Sequence, residues 1–175
     1  MIVAQTPRLI LRHLNLDDLE ELAAIYTDPV VMRFFGGTYT YESTKQWLEE
    51  RVFKCYEQRG WGLWATIYKM ENKLIGRCGL IPQLVDGQEE VEIGYLLAKE
   101  YWGKGLATEA ACNSRDYGFE KLGVNRLISL IDPDNIASQK VAKKVGLTYE
   151  KDTYMWNKTV RVYAISAEKV IAPDK

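Results

Sequence analysis

The chain has 175 residues, 47% hydrophobic and 27% charged, with 23 Lys and Arg against 24 Asp and Glu for a formal net charge of −1. That balance excludes an intrinsically disordered chain and predicts one domain over residues 1–175, burying about 70% of its unfolded surface without disulfides or metals. The missing basic excess speaks against nonspecific binding to nucleic acid or to an anionic membrane.

The N-terminus, Met1 to Arg8, has no basic segment leading an apolar stretch, so no signal peptide is expected. No later apolar run approaches the roughly 18 residues of a membrane span. Arg8 to Arg12 reads as a first strand. Behind the N-cap candidate Asn15, residues Leu16, Leu19, Leu22, Ala23 and Tyr26 recur at helical spacing until Asp28-Pro29 closes the helix. Trp47, Leu48, Arg51, Val52 and Cys55 predict a second helix. Strands follow at 61–68 and 74–81, and Asp86-Gly87 is a hairpin signal leading into a strand from Val91 to Ala98. The middle of the chain is therefore an antiparallel meander.

Ala107, Ala110, Ala111, Ser114, Gly118 and Leu122 then mark a helix, and Arg126 to Asp132 a strand. Asn135 caps a short helix with the face Ala137, Val141, Ala142 and Val145, stopped by Gly146. Two strands are expected near 147–152 and 160–168, and Ala172 to Lys175 reads as a loose tail. The order predicts an α/β (α+β) fold around one mixed sheet.

The segment richest in chemistry joins a strand to a glycine turn and a helix. Val91, Ile93, Tyr95 and Leu97 alternate with Glu92, Gly94 and Leu96, so an apolar face is separated from Glu92. In the turn Trp102-Gly103-Lys104-Gly105-Leu106-Ala107, glycines admit close backbone approach and the helix start supplies unpaired N–H donors. A phosphate or pyrophosphate suits such a turn, with Lys104 as an added charge; an ordinary tight turn has the same composition. A Walker A loop is absent, and Thr108 stands where a dinucleotide fingerprint has its third glycine. Cys55, Cys78 and Cys112 are odd in number, widely spaced and without CxxC spacing, which reads as reduced thiols of a cytoplasmic protein. With His13 the only histidine, no metal site is expected.

These residues resemble the GNAT superfamily of N-acetyltransferases, and within it the branch of ribosomal-protein N-terminal acetyltransferases. The family's [RQ]-x-x-G-x-[GA] motif aligns with Trp102 to Ala107, and Thr108-Glu109-Ala110 continues it. Glu92-Ile93-Gly94-Tyr95 lies upstream, and Asn135-Ile136-Ala137-Ser138 and Lys144-Val145-Gly146-Leu147 lie downstream. Thr6 to Arg12 also resembles the branch, so the match covers about 6–168. The resemblance implies a mostly antiparallel sheet with splayed central strands flanked by helices, acetyl-CoA as cosubstrate, and a primary amine as acceptor. It implies that pantetheine pairs with strand backbone near Leu96 and Leu97 and that Asn135 bonds the pantetheine arm. Amides from Gly103 through Lys104, Gly105, Leu106 and Ala107 to Thr108 would take the pyrophosphate, and one strand amide would hold the oxyanion.

Two departures are visible. Trp102 replaces the family's Arg or Gln, and Ala142 replaces the tyrosine that many members use to protonate the departing thiolate. The branch's Asn-x-x-Ser pattern makes Ser138 the candidate acid, at a position that also suits a plain first-turn serine. Glu92 is the candidate base on the strand expected to border the acetyl group, unless it is a solvated strand residue like Glu89 and Glu90; His13 is the other titratable option. Phe34, Phe35, Tyr39, Tyr154 and Trp156 lie in segments that flank the acceptor cleft in relatives. The acceptor stays open between a protein N-terminus, a polyamine and an aminoglycoside, and a homodimer stays open as well. A non-catalytic acyl-CoA sensor on the same fold is the rival reading. A serine hydrolase is disfavoured because no GxSxG elbow exists.

Overall fold

The computed structural model describes residues 1–168, so the tail predicted at Ala172 to Lys175 lies outside the described residues. Strands β1 (Ile2–Gln5) and β2 (Leu9–His13) form an antiparallel pair at one edge of the sheet. Leu9 and Leu11 of β2 are fully buried, as the alternation requires. Asn15 then starts a helical turn through a reciprocal cap with Asp18, and Asp18 also takes a two-pronged bond from Arg12. Helix α1 (Leu19–Tyr26) follows directly.

A longer helical rod runs as α2 (Tyr41–Trp47), a π-helical stretch (Leu48–Phe53) and α3 (Lys54–Arg59), ending at Gly60 in the left-handed region. The sequence shows only its middle, because the wider turns break the 3.6-residue recurrence and the first turn is mostly polar. Strands β3 (Leu63–Tyr68), β4 (Lys73–Val85) and β5 (Gln88–Leu97) form the expected meander. Asp86 and Gly87, at φ of 49° and 79°, make the two-residue turn that locks β4 to β5 in one register from Gly76/Leu97 to Val85/Gln88.

Helix α4 (Leu106–Glu120), β6 (Arg126–Ile131), α5 (Ile136–Val145), β7 (Thr148–Met155) and β8 (Lys158–Ser166) complete the chain. The sheet order is β1-β2-β3-β4-β5-β6-β8-β7. Every pair is antiparallel except β5 and β6, which run parallel and meet at the single register point Glu92/Ile128. Beyond that point the strands diverge, giving the expected splay.

Both faces of the sheet are covered. On one, α4 and α5 pack onto Trp64, Ile75, Leu80, Ile93 and Leu127. Alanines, Ser114 and Gly118 keep α4 flat there; a Cβ on Gly118 would come within 3.0 Å of the Leu127 side chain. On the other face, Leu22, Tyr26, Leu48 and Val52 cover Ala65, Ile67, Leu74 and Leu96. The divergence therefore opens between two filled cores.

Candidate active site

Successive residues of a strand direct their main-chain groups to opposite neighbours. The Ile93 carbonyl accepts from Ser129 of β6 at 2.9 Å, and the Leu97 carbonyl accepts from the Trp102 indole N–H at 2.7 Å. The Leu96 carbonyl instead faces β4, where a Cβ on Gly76 would collide with it, and Ala98 N–H is bonded to Ile75 on that side. The groups facing the gap are thus those of Tyr95 and Leu97. Leu96 contributes its side chain.

A cavity of about 410 Å³ occupies this gap. Its walls include Tyr95, Leu96 and Leu97 of β5, the turn residues Trp102, Gly103, Gly105, Leu106, Ala107 and Thr108, and Asn135, Ser138, Lys140 and Lys144 at α5. Gly103 and Gly105 have φ of 73° and 77°, a conformation that other residues enter only under strain. Gly105 is the N-cap of the fifteen-residue helix α4 and supplies no side-chain acceptor, so the first N–H groups of the helix stay available at the cavity wall. This donor set fits a pyrophosphate, and Lys140 and Lys144, one helical turn apart, add positive charge.

Asn135 caps α5 by accepting the Ser138 N–H at 3.1 Å. The Ser138 hydroxyl donates to the Tyr95 phenol oxygen at 3.0 Å, and that phenol donates to the Ser138 carbonyl at 2.9 Å. The two hydroxyls form one unit in the cavity wall. Burial pushes the Tyr95 phenol up, so it stays protonated through the physiological range.

A second cavity, about 560 Å³, lies on the sheet face that packs on α1 and the helical rod. Tyr39, Trp47, Arg77, Ile81, Gln83 and Trp156 are among its lining residues. Phe35 lines the first cavity and lies 5.8 Å from the Arg77 guanidinium of the second, so the two adjoin there. Glu92 lines neither, but Gln83 donates to its carboxylate at 2.6 Å. Glu92 is 8% exposed, unlike a solvated strand residue. Burial raises its carboxyl to about 7, against the lowering effect of hydrogen bonds from Gln83 and the Leu130 main chain.

A family model for the acetyltransferase (GNAT) domain matches residues 8–148. The chain belongs to the GNAT acetyltransferase family. It is 36% identical over 161 residues to the protein YkkB of Bacillus subtilis (strain 168), covering 90% of this chain and 92% of that one. It is 32% identical over 174 residues to the N-acetyltransferase p20 of Bacillus licheniformis, covering 91% and 97%. A GNAT-family acetyltransferase from Bacillus anthracis shares the fold with a TM-score of 0.80 at 27% identity, covering 96% of this chain and 99% of its own.

Within this GNAT chain, Trp102 spends its indole donor on the Leu97 carbonyl, where the family's Arg or Gln would stand. Lys104 does not line the cavity; its ammonium lies 5.1 Å from the Tyr101 ring centroid, and Arg8 bonds its carbonyl. Phe34 and Phe35 line the first cavity, and Tyr39 and Trp156 the second. Tyr154 lines neither, because it sits 70% exposed on the edge strand β7. His13 stacks on Tyr56 at 4.0 Å, lines neither cavity, and is lowered by burial. The cysteine thiols are pushed up, Cys78 to about 12, which leaves none activated.

Reading the residues alone missed Tyr95, Lys140, Lys144 and Arg77. Tyr95 counted as part of an apolar alternation, and its hydroxyl was the overlooked signal. Lys140 and Lys144 lie outside the apolar face read on α5, and only the strand opposite turns their side into a cavity wall.

Proposed function

We propose that this GNAT protein transfers the acetyl group of acetyl-CoA to a primary amine by direct attack. The observation that carries the reading is the gap between β5 and β6, which ends on the glycine turn and the uncapped start of α4. A strand-like amide arm fits the gap, and a pyrophosphate fits its end. When bound, acetyl-CoA supplies a thioester carbon activated toward nitrogen nucleophiles.

The chain's own groups divide the remaining work. The gap-facing main-chain groups of Tyr95 and Leu97 align the arm, and the Asn135 side chain meets it from α5. A gap-facing N–H takes the negative charge that develops on the carbonyl oxygen. Glu92, titrating near neutrality and bonded to Gln83 at the second cavity's wall, accepts the amine's proton by way of solvent. The Ser138 hydroxyl, held by Tyr95, gives a proton to the departing sulfur and takes one back from solvent as Glu92 releases its own, so amide and thiol leave neutral and both side chains are restored.

Thiol release from acetyl-CoA, followed across α-amino peptides, amino acids and lysine-like or polyamine acceptors, tests this reading. Acceptor-dependent release with an acetylated product is expected. Tight acetyl-CoA binding by calorimetry with no turnover on the whole panel would refute it in favour of a sensor.

A further inference from the structure

The second cavity contains a buried cation that the acetyl-transfer reading does not use. Arg77 is 8% exposed, on the sheet face shared with Leu96. Its guanidinium carbon lies 5.3 Å from the Trp47 ring centroid, 5.8 Å from Phe35 and 5.9 Å from Tyr26. Its Nε donates to the Tyr26 hydroxyl. Among the described residues no carboxylate pairs with it, and Glu92 acts on it only as a weaker, more distant charge. Among the described residues the guanidinium makes no other hydrogen bond within the protein, and its terminal nitrogens reach the cavity rather than being sealed from it.

A buried, unpaired charge is costly, and aromatic faces offset only part of that cost. An arginine kept in this position, with its free nitrogens turned to the cavity, favours an anionic guest. The fork is fixed by its packing among three rings, and such a fork matches a carboxylate with two parallel bonds. The surrounding charge agrees: Arg51, Lys54, Arg59 and Arg77 line the cavity, against Glu50 as the lining carboxylate. This field attracts an anionic group and repels a polycation.

We propose that the acceptor is an amine that also carries a carboxylate, which Arg77 binds while the amine reaches toward the first cavity past Phe35. The proposal rests on the acetyl-transfer reading for which cavity holds the acceptor. It disfavours polyamines and aminoglycosides, whose many ammonium groups would face the four cations. The carboxylate belongs either to a free amino acid or to an acidic residue at a peptide N-terminus; the chemistry at Arg77 is the same.

Product binding tests this without requiring turnover. Calorimetry on the CoA-saturated protein would compare N-acetylphenylalanine with its carboxamide, with an N-acetyl-glutamyl peptide amide, and with N-acetylspermidine. The carboxamide should bind at least about 30-fold more weakly than the acid, the loss expected when a buried charge pair is broken. Stronger binding of the glutamyl peptide amide than of N-acetylphenylalanine would assign the carboxylate to a peptide, and the reverse to a free amino acid. Equal binding of acid and carboxamide, or preference for N-acetylspermidine, would overturn the proposal in the wild-type protein alone. Arg77→Met should bring the acid-to-amide ratio close to one, and Arg77→Lys, which keeps the charge without the fork, should lower it partway. Full retention of the ratio in either folded variant would also overturn it. Selective acid binding with no acetyl transfer would instead refute the acetyl-transfer reading and leave the anion site standing; acetylation of amines without carboxylate preference would do the opposite.

Discussion

Replacing Glu92 with Gln separates its electrostatic cost from its proposed proton transfer. The carboxyl titrates near 4.5 when exposed and at about 7 in the fold, because burial disfavours its charge. Below pH 4.5 it is protonated in both folded and unfolded chains and costs nothing. Between those values the folded chain holds a proton that the unfolded chain has lost, so stability falls as pH rises, and the loss is complete just above pH 7. A shift of this size corresponds to about 3 kcal/mol. Glutamine does not titrate, and a flip of the Gln83 amide lets it keep the hydrogen bond. The stability of Glu92→Gln relative to wild type should therefore grow by about 3 kcal/mol between pH 4 and pH 8, read by urea denaturation, or as about 6–12 °C in Tm. Turnover should move the other way. Loss of a general base lowers kcat/KM by about 10²–10⁴ near neutral pH, with recovery as the amine deprotonates itself, and more steeply for lysine-like than for α-amine acceptors. Thiol release over a pH series measures this. Superimposable pH–rate profiles for both acceptor types would remove Glu92 from the reaction, and a stability gap constant with pH would show that its carboxyl is not shifted.

Ser138→Ala should lower kcat with acetyl-CoA affinity nearly unchanged, and Tyr95→Phe should do the same by releasing the serine hydroxyl. Because the two share one hydrogen-bonded unit, the double variant should cost clearly less than the product of the singles, measured as a double-mutant cycle on kcat. Gly105→Ala places a Cβ 3.5 Å from an Arg8 guanidinium nitrogen, which is ordinary contact, but at φ of 77° it strains the helix start. It should lose about 1–2 kcal/mol of stability and about tenfold in acetyl-CoA affinity, whereas Gly87→Ala, at φ of 79° in the distant hairpin, should lose stability alone.

The sequence made most of the sheet legible, because each strand of the meander buries a regular set of side chains and Asp86-Gly87 can form little besides a tight hairpin. It hid β1, whose four residues pair only with β2 and carry no turn signal of their own except Thr6-Pro7. The glycine turn and the α5 cap were readable for a physical reason: a positive φ and an Asn N-cap are local requirements written in local residues. Arg77 was not readable in that way. Its meaning depends on Tyr26, Phe35 and Trp47, which come from three separate segments and converge only once the sheet is covered. Tyr154 shows the complementary case, since aromatic character says nothing about which side of an edge strand is covered.

The bond from the Trp102 indole to the Leu97 carbonyl takes up one acceptor site on the edge that faces the gap. A carbonyl oxygen has two lone pairs, so a donor entering the gap either shares it with the indole or turns the indole to water, where Trp102 already has half its surface. Sharing adds a bond, and displacement exchanges one bond for another. On either course the surroundings of the indole N–H change when a donor reaches this carbonyl, so Trp102 emission would report the arrival of an arm in the gap.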